Sequence, residues 1–136
     1  MTNRNEIGLA MTTSAKVALR FGGDALVPDE VTRVMGISPT FSYAKGEPSH
    51  RTKTPRWTGI WGLEFESDDV EPAAKQLLDA IATKRGAIDE IVAQMSAGVS
   101  VSIWWEPEGG QGGYTLSTET VVALASLGER IDFYFA

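Results

Sequence analysis

The sequence predicts an α+β domain in which helices cover one face of a mostly antiparallel sheet of four to five strands. Apolar residues occupy every second position in several segments and recur at helical spacing in the segments between them. Glycine, proline or capping residues lie at the boundaries of these segments. The predicted order is β-α-(β)-β-α-β-α-β, a ferredoxin-like βαββαβ sandwich with an additional αβ unit. We expect a polar N-terminal tail over 1–13 and a single domain over 14–136.

The first strand and helix are marked by local signals. Apolar side chains alternate over 15–21, and a helix is expected to begin at Pro28 and to end before Gly36. The long segment 37–56 carries three prolines and reads as a connection, with a short strand at 41–43. A connection of this length is typical of a functional or mobile segment.

Two further strands carry tryptophans. In the segment 57–65 apolar and largely aromatic residues occupy every second position, which predicts a strand with one aromatic face. Apolar residues alternate in the same way over 99–105. Trp57, Trp61 and Trp105 share faces with aliphatic residues, so we expect all three in the core.

Helical spacing recurs between and after these strands. Apolar residues follow it over 70–81 and again over 88–95, with Gly86 between the sets, so one kinked helix and two successive helices both remain open. Ser117 is expected to cap a last short helix, and a final strand is expected over 131–135.

Composition and charge exclude several classes of protein. The chain has 136 residues, of which 43% are hydrophobic and 22% charged, which excludes wholesale disorder. A net charge of −6 argues against nucleic acid or anionic membranes as partners. The absence of cysteine excludes disulfides, thiolate metal sites and thiol nucleophiles. No apolar run is long enough to span a bilayer, so we expect a cytoplasmic protein. We also expect that it has no cofactor.

The segment 45–57 inverts the charge of the chain. It contains four cations and one carboxylate, Glu47, so its net charge is +3 and the rest of the −6 chain carries −9. Such a charge separation can steer an encounter with an acidic partner. The candidate partner-binding cations are Lys45, Arg51, Lys53 and Arg56.

The sheet face opposite the helices is a second candidate partner site. By alternation it carries Arg20, Ile60, Trp104 and Tyr134, an arginine among aromatic side chains, which is the composition of a binding hot spot. The alternative is that the 37–56 segment or a second copy of the chain covers this face.

A glycine-rich turn at 109–113 follows a strand and precedes a helix, where phosphate loops lie. It lacks the G-x-G-x-x-G spacing and the P-loop lysine, so a turn that needs positive φ is the simpler interpretation. As an alternative function, Gly110, Gln111 and Gly112 would bind a small anion or phosphate together with His50 of the basic segment.

The residue inventory disfavours catalysis. One histidine, no cysteine and no Gly-x-Ser-x-Gly elbow leave no nucleophilic triad, and a single imidazole cannot hold zinc. As a third hypothesis, carboxylates such as Glu64 and Glu106 could lie on neighbouring strands and act as a pair. We therefore expect a non-enzymatic protein-binding domain, monomeric or weakly dimeric, with no catalytic or metal residues.

Four blocks of sequence resemble a bacterial family catalogued as domain of unknown function 4279. They are Gly23-Asp24-x-Leu26-x-Pro28-x-x-Val31-Thr32-x-x-Met35-Gly36-Ile37-x-Pro39-Thr40, Lys45-Gly46, Trp57-Thr58-Gly59-x-Trp61 and Gly109-Gly110-Gln111-Gly112-Gly113-x-x-Leu116-Ser117. The resemblance spans roughly 14–136 and implies no activity and no catalytic residue. Small acidic bacterial domains of this kind have been proposed as immunity proteins, so the resemblance is compatible with an immunity-type or regulatory role.

Overall fold

A computed structural model describes residues 14–107, 109 and 112–135. The predicted tail over 1–13 lies outside the described residues, as do Gly110 and Gln111. The elements, in chain order, are β1 (Ser14–Gly23), α1 (Pro28–Met35), β2 (Phe41–Tyr43), β3 (Gly59–Ser67), α2 (Val70–Ala80), α3 (Arg85–Met95), β4 (Gly98–Glu106), α4 (Thr118–Ala125) and β5 (Arg130–Phe135).

The five strands form one mixed sheet in the order β2-β3-β1-β4-β5. β1 lies at the centre and pairs antiparallel with both β3 and β4, and β2 pairs antiparallel with β3. β5 pairs parallel with β4, because α4 connects these two strands and returns the chain to the same end of the sheet. The predicted mixture of helices and strands in an α+β arrangement is confirmed.

One face of the sheet builds the core. Phe21 of β1 faces Trp61 of β3 and Val99 of β4, and all three side chains are buried. The same cluster takes apolar side chains from all four helices, including Val31, Leu77, Ile91 and Leu124. The helices therefore pack on this face, and we call the opposite one the outer face.

Trp61 shows how a buried indole is accommodated. Its side chain is fully buried, and its ring meets Phe21 edge-on at 5.7 Å between centroids. Its Nε1–H donates to Thr32 Oγ1 of α1 at 3.0 Å, which satisfies the one polar group that burial would otherwise leave without a partner. Trp105 is buried as well, so two of the three tryptophans predicted for the core lie there.

The segment 70–95 forms two helices and not one kinked helix. Two helices are present, separated by a turn over 81–84 in which the Lys84 N–H donates to the Ile81 carbonyl at 2.9 Å. Gly86, which lies between the two apolar sets, does not mark the break, because it lies in the first turn of α3. Gly36, in contrast, ends α1 with φ of 68°, as its sequence position predicts.

The last helix is fixed to α2 by a carboxylate. Glu71 accepts hydrogen bonds from the Ser117 N–H and hydroxyl, each at 3.0 Å, and from the Thr120 hydroxyl at 2.9 Å. The backbone hydrogen bond from Ser117 is the main reason that the pKa of Glu71 is lowered. Ser117 also caps α4 as predicted, since its Oγ accepts from the Thr120 N–H at 3.1 Å.

Candidate functional site

The strand register places the predicted partner residues of the outer face in two groups. Trp104 of β4 lies between Lys16 of β1 and Tyr134 of β5. Arg20 lies four residues further along β1, about 13 Å away, beside Gly62 and Ser100. The outer face thus brings Trp104 and Tyr134 together and places Arg20 in a separate group.

The Trp104 group presents an aromatic surface with a cation on it. The Lys16 ammonium lies 5.1 Å from the centroid of the Trp104 ring, within cation–π range. Tyr134 is 46% exposed, and Trp104 is partly exposed. These rings are therefore accessible to a partner.

The Arg20 group rests on an aromatic ring contributed by the short strand β2. The Arg20 guanidinium lies 5.5 Å from the Phe41 ring centroid. Phe41 in turn covers Gly62, where any Cβ would collide with the ring. Glycine is required at 62 because the ring takes the place of a side chain, and the ring supports Arg20 from one side.

The basic segment is a β-hairpin beyond the end of β2. The Arg56 N–H donates to the Glu47 carbonyl at 2.9 Å, the Gly46 N–H donates to the Arg56 carbonyl at 2.8 Å, and Pro48 and Pro55 form an isolated bridge. Its turn runs over 49–54 and contains Lys53 with φ of 62°. We call residues 45–57 the basic hairpin.

The predicted cations take different positions on this hairpin. His50, Arg51 and Lys53 are exposed at the tip, and Lys45 lies 4.0 Å from the Asp24 carboxylate. Arg56 is half-buried, with its guanidinium 3.6 Å from the centroid of the Tyr43 ring. The tip residues are free to meet a partner, whereas Arg56 also holds the hairpin base against β2.

Trp57 is not in the core, and the prediction that it would be was wrong. Its side chain is 88% exposed. The alternation of aromatic residues continues back from Trp61 to Trp57, but pairing with β1 begins only at Gly59, which faces Gly23. Because β1 ends there, no strand or helix that the structure describes covers Trp57.

A trough crosses the outer face at the end of the sheet nearest the hairpin. It has a volume of about 330 Å³, and Gly22 and Gly98 provide a floor without side chains. A second cavity of about 350 Å³ lies under the hairpin and adjoins the trough at Thr58 and Ile60. The charged and aromatic residues of the remaining trough lining are Arg20, Arg130, Glu129, Asp132 and Tyr134, and the hairpin cavity is lined further by residues that include Thr52, Thr54, Arg56 and Trp57.

The trough wall on β5 carries an ion pair. Arg130 Nε donates to an Asp132 carboxylate oxygen at 3.0 Å. This hydrogen bond is the main reason that the pKa of Arg130 is raised, so its guanidinium stays charged. Arg20, across the trough, has no ion pair with any residue that the structure describes.

The glycine-rich turn lies at the other end of the sheet. The turn follows the C-terminal end of β4, whereas the basic hairpin lies near the N-terminal end of β4. These two ends are about 26 Å apart. Gly109 and Gly112 have φ of 69° and 108°, as the turn interpretation predicts. The structure therefore does not bring Gly112 together with His50, and the predicted partners Gly110 and Gln111 lie outside the described residues.

The two carboxylates considered for catalysis do not lie on neighbouring strands, as the pair hypothesis expected. Glu64 and Glu106 lie on strands separated by β1, aligned with Ala18 and Ser14, so their Cα positions are about 16 Å apart. Among the residues that the structure describes, no group of three metal-binding side chains lies together, and no helix is long and apolar enough to cross a membrane.

Sequence reasoning missed three aromatic residues of this surface: Phe41, Tyr43 and the exposed Trp57. Gly62 was the available signal for Phe41, because a glycine inside an otherwise bulky strand marks the close approach of another group. Nothing in the local pattern separates Trp57 from Trp61.

The comparisons with known proteins agree with the sequence blocks. A family model described as "Domain of unknown function (DUF4279)" matches residues 12–135, nearly the whole chain. No curated protein and no solved structure matches the chain. The chain therefore belongs to the DUF4279 family of domains of unknown function.

Proposed function

We propose that this domain is a non-enzymatic protein-binding module, of an immunity-type or regulatory kind, that binds an acidic partner through its outer face and basic hairpin. The observation that carries the proposal is the outer face, which no described element covers and on which partly exposed arginine and aromatic side chains are held in place. Interfaces concentrate their binding energy in such residues.

Preorganisation of the surface supports the proposal. Arg20 is supported by Phe41, Arg56 by Tyr43, and Trp104 carries the Lys16 ammonium. Side chains that are already ordered lose less rotamer freedom on binding, so more of their contact energy appears as affinity.

The charge distribution supports an acidic partner. Arg51 and Lys53 are exposed at the tip of a hairpin of net charge +3, on a body of −9. An acidic surface would be attracted to the hairpin and repelled elsewhere, which orients the encounter.

The test is capture of a partner from native cell lysate by the tagged full chain at low and moderate salt. We expect one stoichiometric protein, which is lost at the higher salt and by Arg51→Glu. The matched control is Arg85→Glu, the same charge change on the exposed surface of α3, which retains the protein. A chain that captures nothing, or that keeps its partner in Arg51→Glu and in Trp57→Ala alike, contradicts the proposal.

A second candidate is a small anionic ligand in the trough and hairpin cavity. The volume of about 330 Å³ between Arg20 and Arg130 favours it. A thermal-shift screen of anionic metabolites tests this function, because a ligand at about 100 times its Kd stabilises the fold by roughly 2.7 kcal/mol. A stabilising metabolite whose effect is lost in Arg20→Ala would replace the protein partner as the leading function.

Two finer statements belong to the same proposal. The order β2-β3-β1-β4 with antiparallel pairing throughout supports a ferredoxin-like βαββαβ core to which α4 and β5 are added. Right-handed crossovers in an experimental structure would test this assignment. A cytoplasmic location is also proposed, and fractionation of native cells tests it.

A further inference from the structure

The two edges of the sheet differ in how they are protected. β2 has three residues and leads into the hairpin that contains Pro48 and Pro55, features that discourage further strand pairing. β5 has six residues, Arg130–Phe135, without proline, and its outer edge has no strand partner among the described residues. An edge of this kind is a template for another strand.

The exposed side chains of β5 are mostly aromatic. Phe133 is 54% exposed, Tyr134 46% and Phe135 68%, whereas Ile131 packs against the core. Such a run on an unpaired edge is a recognised hazard for association unless it has an occupant.

The sequence of β5 complements itself in one antiparallel register. With a two-fold axis at Phe133, this ring faces its own copy, and Ile131 faces Phe135 twice on the core side. On the outer side each Tyr134 faces Asp132 of the other copy, so that the tyrosine hydroxyl can donate a hydrogen bond to the carboxylate.

The neighbouring registers are worse. An axis at Asp132 sets two carboxylates against each other, and like charges directly opposite are destabilising. Axes at Ile131 or Tyr134 leave apolar side chains beyond the end of the partner strand. Only the axis at Phe133 pairs all five residues from 131 to 135.

We propose that β5 pairs antiparallel with β5 of a second copy of this chain, with the two-fold axis at Phe133, to form a continuous ten-stranded sheet. The three aromatic side chains bury about 300 Å² per copy when the neighbouring strand covers them, since a whole aromatic side chain buries about 150–250 Å². This is below the roughly 800 Å² per partner of a stable complex, so we expect a weak dimer.

The absence of cysteine from the chain makes single-cysteine cross-linking a sharp test. Directly opposite residues of antiparallel strands have Cα atoms about 4.5–5.5 Å apart, within disulfide range. Phe133→Cys is expected to give a disulfide dimer about tenfold faster than Val122→Cys, a position on α4 with similar exposure (62%). Asp132→Cys and Tyr134→Cys lie off the axis and should cross-link more slowly than Phe133→Cys.

Sedimentation of the unmodified chain over increasing concentration provides the second readout. We expect reversible dimerisation that Phe133→Glu abolishes and Val122→Glu does not, with circular dichroism to show that both variants fold. A monomer at every concentration overturns the proposal, as does a dimer that survives Phe133→Glu. Fastest cross-linking at position 132 or 134 overturns the register, and dimerisation only after removal of 1–13 would show that the chain's own N-terminal segment occupies the edge.

This interface and the proposed partner site share Tyr134, but variants at other positions separate them. Phe133 points to the core side of β5, whereas Arg20 and Trp104 lie on the outer face. Phe133→Glu should therefore abolish self-association and leave partner capture unchanged.

Discussion

Trp57 and Trp61 lie four residues apart, and the structure predicts opposite consequences for their removal. Trp57 is 88% exposed and Trp61 is fully buried. The covered eighth of the Trp57 side chain corresponds to about 30 Å², worth about 0.7 kcal/mol at roughly 25 cal/mol per Å². Trp61→Ala removes a whole buried indole, which costs about 3–5 kcal/mol.

These two values are well separated in a standard unfolding measurement. We expect Trp57→Ala to lower Tm by about 3 °C and Trp61→Ala by about 15 °C, at roughly 4 °C per kcal/mol for a chain of this size. Thermal unfolding followed by far-ultraviolet circular dichroism is the assay, because its signal comes mainly from the backbone and not from the tryptophans removed. Iodide quenching should decrease in Trp57→Ala and not in Trp61→Phe.

One result would refute this reasoning. A loss of stability in Trp57→Ala as large as that in Trp61→Ala would place Trp57 in the core, as the alternation of the sequence predicts. The hairpin cavity and its exposed indole would then not exist as described.

Two further predictions concern the contacts that hold the helices. Thr32→Val leaves the buried Trp61 Nε1–H without its acceptor, so we expect the free energy of unfolding, measured with urea, to fall by about 1–3 kcal/mol. Thr32→Ser should restore most of this loss. Equal losses in both variants would contradict this hydrogen bond. Glu71→Gln should lower Tm at neutral pH, whereas Glu90→Gln, at an exposed position on α3, should not. Because the folded-state pKa of Glu71 is lowered, the stability that its charge contributes is present above the ordinary carboxyl pKa and is lost as the pH falls through the folded-state pKa. The difference in Tm between Glu71→Gln and wild type should therefore vanish in acid. A difference that stays constant across pH would contradict the role of the charge.

Elements with local signals could be predicted from the sequence. Pro28 and Gly36 bound α1, and Ser117 caps α4, because a backbone constraint or a capping hydrogen bond acts within one turn. The break between α2 and α3 could not be located, since Gly86 between the two apolar sets does not mark it. A Cβ at Gly86 would meet open space, so no packing demand lies behind that glycine.

The site depended on information that a single sequence does not carry. The adjacency of Trp104 and Tyr134 follows from the parallel pairing of β4 and β5, and the support of Arg20 by Phe41 follows from the place of β2 at the edge. Alternation assigns a residue to a face, but only strand order decides its neighbours.

The central claim is that the outer face binds the partner, and site-specific photo-cross-linking tests it most directly. A photoreactive benzoylphenylalanine at position 104 replaces one aromatic ring with another on the outer face, and the same group at position 122 probes the exposed surface of α4. With the captured partner present, we predict a covalent adduct from position 104 and none from position 122. An adduct from position 122 alone would place the partner on the helical side and contradict the account.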